Sequence, residues 1–195
     1  MLRAFRERRQ ERKALDTLKT MLAGEWVCSC CGEIMTGLQD IAFDAPGPWP
    51  HAAKYAPNSE LKLEGDFLSS DFCVMGGEHF FVRSVMLFPV KGIRHTLGVG
   101  VWSSLSRENF KEFVDGFDDP EANVGSEYFS WLVNTLEPLN MQAPTRTHIV
   151  TQPDRQRPLV EADSDSEMGH MQAYGLSASQ TLAAIGCGGH APSLT

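Results

Sequence analysis

Apolar residues follow two different periods along this chain. Leu15, Leu18 and Leu22 recur at helical spacing in a stretch rich in Arg, Lys, Leu and Ala. They predict a helix over residues 3–23, ended by Gly24. The β signal is densest over residues 71–105. Phe72–Met75 reads as a strand, Gly76-Gly77-Glu78 as a hairpin turn, and His79–Val90 as a long strand. Lys91–Arg94 turns the chain, and Thr96–Leu105 returns as a third strand. Ser106 caps a helix in which Phe110, Phe113 and Phe117 form one aromatic face.

Elsewhere the pattern is weaker. Trp26-Val27 is a short strand running into a cysteine-rich turn, and Asp44–Pro50 holds three prolines and a glycine that forbid regular structure. Asn58–Leu68 is polar and indeterminate. Tyr128–Val133 reads as a second short helix, and Thr145–Gln152 and Arg157–Glu161 as two more strands. Met168–Tyr174 is weakly helical, and Ser177 caps a last helix through Ile185. The glycine-rich tail from Gly186 reads as disordered. The element order predicts an α+β fold: one domain with an antiparallel sheet, formed by a meander over about 71–105 plus strands over about 145–161, and helices packed mainly on one face. The divisions are a basic helical extension (1–24), the domain (25–185) and the tail (186–195).

Charge adds an asymmetry. The formal net charge is −8, which argues against nucleic acid as a partner. Residues 1–19, however, carry seven of the 17 basic residues against three acids, leaving ten basic and 22 acidic residues (−12) in the remainder. An arm for anionic partners, a membrane-surface helix and a transit peptide are functional readings of this stretch. The simpler reading is a solvated helical extension packed on the body through its leucines. No apolar run is long enough for a membrane span, and the charged start does not read as a signal peptide. Five cysteines without a secretory signal predict a reducing, cytoplasmic setting with free or metal-bound thiols.

Three of those cysteines lie in Cys28-Ser29-Cys30-Cys31-Gly32-Glu33. Cys-x-x-Cys-Gly is half of a zinc knuckle, because this spacing aims two thiolates at one centre. No second Cys-x-x-Cys follows. Cys28 and Cys31 are the candidate metal ligands, with Cys73 the first candidate to complete them and Cys30, His79 and His148 behind it. Reduced thiols in a turn, with Cys73 as a small buried hydrophobe, are the plain alternative. A redox reading of Cys28 and Cys31 lacks the βαβ context of a thioredoxin-like site. Cys187 and His190 imitate a nucleophile–base pair but lack an orienting third group.

His79, Arg83 and Trp102, with Glu78, cluster on or beside the central strands as ligand or partner candidates. Arg83 can hold an anion or pair with an acid such as Glu108, and the structural ion pair is the favoured reading. Gly98-x-Gly100 lies inside a strand, so close packing explains it better than a phosphate loop.

Several segments together resemble a bacterial family known as domain of unknown function 2199 (DUF2199). They are Cys28-x-x-Cys31-Gly32-Glu33 with Gly37-Leu38, Asp71-x-Cys73-Val74, Phe80-Phe81-Val82-Arg83, Val101-Trp102-x-Ser104-Leu105-Ser106-x-Glu108-Asn109-Phe110 and Tyr128-Phe129-x-Trp131-Leu132, followed by Thr147-His148 and Gln152-Pro153…Arg157-Pro158. The likeness spans about residues 25–185 and implies no activity, substrate or cofactor. The family pattern often places a histidine where this chain has Met35, and that departure weakens a metal reading.

The leading functional expectation is a non-enzymatic accessory domain that binds another protein, with immunity factors a fold-level analogy. The alternative is a small zinc protein anchored by Cys28 and Cys31. A third reading is an enzyme using the Cys73, His79 and Arg83 region.

Overall fold

A computed structural model describes residues 2–119, 121–154 and 156–192. The amino-terminal helix α1 spans Leu2–Ala23. It buries Ala14, Leu18 and Met21, spaced to place one narrow stripe on the body, while residues 3–10 are exposed on every side. The basic segment therefore projects, and the second half of the helix docks. Docking is fixed by Glu11, whose carboxylate accepts hydrogen bonds from the backbone N–H groups of Ala178 (2.5 Å) and Ser179 (3.1 Å). Those groups open the last helix, α4 (Ala178–Cys187). Among the described residues no helix is long and apolar enough to cross a membrane.

Two short strands, β1 (Glu25–Val27) and β2 (Ile34–Thr36), make a separate antiparallel hairpin around the cysteine turn. The main sheet adds β3 (Ile41–Ala42), β4 (Phe67–Leu68), β5 (Phe72–Met75), β6 (His79–Pro89), β7 (Thr96–Leu105), β8 (Glu127–Leu132), β9 (Thr145–Val150) and β10 (Leu159–Ala162). The expected meander is present as β5–β6–β7. The sheet as a whole is different from the expectation. Strands β7-β8-β9-β10-β6 follow one another, and β6 pairs with β7 again, closing a five-stranded barrel. Its orientation is mixed, because β10 runs parallel to β6 and β3 parallel to β7. Strand length explains the closure. One edge of β6 is taken along its full length by β7, while the other is shared by β5 near Val82 and β10 at Val85. No local pattern signals that second, long-range pairing.

The barrel also corrects Tyr128–Val133. This segment is β8, with Tyr128, Ser130 and Leu132 buried and Glu127, Phe129 and Trp131 turned outward. Its alternation is period two, and its aromatic residues suit a strand. Inside the barrel Ser84 and Ser103 are 2.8 Å apart at their hydroxyls, as are Ser130 and Thr147. Small side chains fit the narrow interior, and each hydroxyl finds a partner.

Helix α2 (Arg107–Asp115) starts at Ser106, whose side chain accepts from the Asn109 N–H. Phe110, Phe113 and Phe117 all meet Phe72 edge-on. Helix α3 (Glu167–Tyr174) packs on β6 and β10. A capping box of Ser177 and Gln180 opens α4. Gly98 and Gly100 serve close packing: a Cβ on Gly98 would lie 2.8 Å from the Asp40 carboxylate, which accepts the Gly98 N–H.

Candidate metal centre

The cysteine turn is built by its own backbone. Cys28 N–H donates to the Glu33 carbonyl (2.9 Å), and Gly32 N–H donates to the Cys28 carbonyl (2.9 Å). Gly32 takes φ +74°, a left-handed conformation that glycine adopts without strain. The fold places Cys28 under cover at 1% exposure and leaves Cys30 and Cys31 exposed. The Cys30 N–H points at Cys28 Sγ (3.4 Å).

The tail comes back to this turn. Beyond α4, Gly189 has φ +94°, and the chain passes alongside the knuckle. Ser29 donates to the Ala191 carbonyl through its backbone N–H (2.7 Å) and its hydroxyl (3.0 Å). Cys28 and Pro192 form an isolated antiparallel bridge. The segment 186–192 is thus held against the body, unlike the disordered tail expected from sequence; residues 193–195 lie outside the described residues.

This return brings His190 to the two cysteines. Its Nδ1 lies 3.6 Å from Cys28 Sγ and 4.0 Å from Cys31 Sγ. The three ligand atoms all lie within 4.8 Å of one another, so the group can hold a metal ion. Tetrahedral zinc with Zn–S near 2.3 Å and Zn–N near 2.0–2.1 Å separates its ligand atoms by about 3.5–3.8 Å. The distances from His190 match that spacing closely enough for small side-chain adjustments to complete it.

The two thiols differ in acidity. Burial opposes ionisation of Cys28. The backbone N–H groups of Cys31 and Cys30, the His190 ring and the Cys31 side chain together outweigh it and lower the thiol to about 6. For Cys31 the backbone bond at Glu33 favours the thiolate, but desolvation and the neighbouring Cys28 prevail and raise it. The pair therefore favours one thiolate beside one thiol, a charge pattern suited to receiving a cation.

Other predicted residues lie elsewhere. Cys73 sits in a second buried cluster with Leu68, Phe81 and Trp102, where burial first and the Asp66 charge second push its thiol up to about 12. It does not join Cys28 and Cys31. His79 is exposed at the start of β6, and His148 stacks edge-on against Phe129. Cys187 is exposed at the end of α4. Arg83 and Trp102 do come together, with the guanidinium 5.8 Å from the indole. Arg83 forms no ion pair among the described residues, so pairing with Glu108 is not observed. His190 escaped the sequence reading as a ligand because 159 residues separate it from Cys31; the half-knuckle lacking a partner was the available signal.

No curated protein and no solved structure matches the chain. The sequence pattern of the family described as "Uncharacterized protein conserved in bacteria (DUF2199)" matches residues 27–176, and the chain belongs to that family.

Proposed function

We propose that this is a zinc-binding protein in which Cys28, Cys31 and His190 hold the metal and fasten the carboxy-terminal segment to the amino-terminal knuckle. The observation that carries the reading is the mutual approach of one imidazole nitrogen and two thiols from opposite ends of the chain. Two thiolates and an imidazole suit zinc better than hard cations such as magnesium or calcium. A structural role fits the surroundings: Cys28 is buried and bridges Pro192, and its neighbour Ser29 pairs with Ala191. Three protein ligands leave a fourth tetrahedral position for water or another donor on the exposed Cys31 side. Cys28 and Cys31 belong to the family segment, whereas His190 follows it.

Elemental analysis of the purified chain tests this directly. We expect about one zinc per chain, with stoichiometry falling to near zero in Cys28→Ser and markedly in His190→Ala. Cys73→Ala serves as the control and keeps its zinc. Wild-type protein that takes up no zinc under reducing conditions overturns the reading, and so does retention of zinc at full affinity by Cys28→Ser.

A further inference from the structure

Arg83 presents a different problem. It stands on β6 with Phe81 and Val85 on the outward face of the barrel, opposite Trp102 of β7. It is only 9% exposed. Its guanidinium approaches two rings, 5.9 Å from that of Tyr55 and 5.8 Å from that of Trp102. Nη1 donates to the Tyr55 hydroxyl (3.2 Å). Nε is buried and has no acceptor. Nη2, on the same edge of the guanidinium, makes no hydrogen bond among the described residues.

A buried cation is unfavourable unless an anion or several acceptors meet it. The carboxylate of Asp71 is engaged elsewhere, with Asn58, Ser70 and Arg157, while its backbone carbonyl accepts the Arg83 N–H. Trp49, packed against the Trp102 cluster, has a second buried N–H without an acceptor. Arg83 Nε and Trp49 Nε1 are donors, whereas Asn58 Oδ1 is a buried acceptor without a partner among the described residues. The Nε/Nη2 edge is the side-on fork by which arginine takes two oxygens of one carboxylate or phosphate. Tyr55, beside the guanidinium, is 41% exposed.

We propose that Arg83 anchors a binding site for a small oxyanion-bearing ligand, a carboxylate or a phosphate. The ligand accepts from the Nε/Nη2 edge, while the Tyr55 hydroxyl holds Nη1 on the other side. This site is separate from Cys28, Cys31 and His190 and stands or falls independently of zinc.

Isothermal titration calorimetry on the full chain tests it, with sodium phosphate and sodium acetate as separate titrants against sodium chloride at matched ionic strength. The expected result is saturable binding of at least one oxyanion, and the arm that binds identifies the group. Binding disappears in Arg83→Met and persists in Arg146→Met, which removes an exposed cation. Arg83→Lys keeps the charge but loses the fork, and it weakens binding roughly tenfold or more. No saturable heat from either oxyanion in the folded wild type overturns the proposal. Should Arg83→Met fail to fold, undiminished affinity in Arg83→Lys overturns it equally.

Discussion

A hydroxyl enclosed in a narrow barrel has to meet another polar group, and Ser84 and Ser103 meet each other at 2.8 Å. Removing one leaves the other without its partner. Ser84→Ala is expected to cost about 1–3 kcal/mol in urea denaturation. The Ser84→Ala, Ser103→Ala double variant should cost less than the sum of the two singles, with a coupling of about 1 kcal/mol. Strict additivity would mean that the hydroxyls act separately. Chemistry of this local kind is partly legible in a sequence. Cys28 and Cys31 declare themselves because their spacing aims both sulfurs at one point, and Ser106 and Ser177 because capping acts over three residues. His190 and the orphaned Nε of Arg83 depend on what the fold brings or fails to bring from far along the chain.

Among the elements, the junction of α1 and α4 is an electrostatic one. Glu11 places its carboxylate at the amino terminus of α4, where N–H groups and the helix dipole favour negative charge. Burial raises this carboxyl's pKa, but bonds from the Ser179 side chain and the Ala178 and Ser179 backbone, with the attraction of Lys91, bring the net value below the ordinary 4.5. A depressed carboxyl stabilises the fold above its unfolded pKa and loses that contribution as pH falls through the folded value. Glu11→Gln should therefore lower stability by about 1 kcal/mol at neutral pH. The gap between variant and wild-type melting temperatures should close on acidification below pH 4.5. A gap that stays constant from neutral to acidic pH would show that the Glu11 charge plays no part. Element types were readable where periodicity was long, as in α1, β6 and β7. Within Tyr128–Val133 only Ser130 is polar, so the sequence shows no clear period there, and its strand identity comes from pairing with β7 and β9.

At the scale of the molecule, two long-range closures complete the structure. The first joins β10 to β6 through Leu159 and Val85, turning an expected open sheet into a barrel. The second returns residues 188–192 to the cysteine turn and converts half a knuckle into a three-ligand group. Both share one physical reason: each is made by partners tens to more than a hundred residues apart, so no local pattern identifies the partner. The second closure carries the functional account. Zinc K-edge X-ray absorption on the zinc-loaded protein examines it at the metal itself. The account predicts a first shell of two sulfurs near 2.3 Å with nitrogen or oxygen ligands near 2.0–2.1 Å, and the outer-shell imidazole signature lost in His190→Ala. A first shell without sulfur, or an imidazole signal unchanged by His190→Ala, would contradict it.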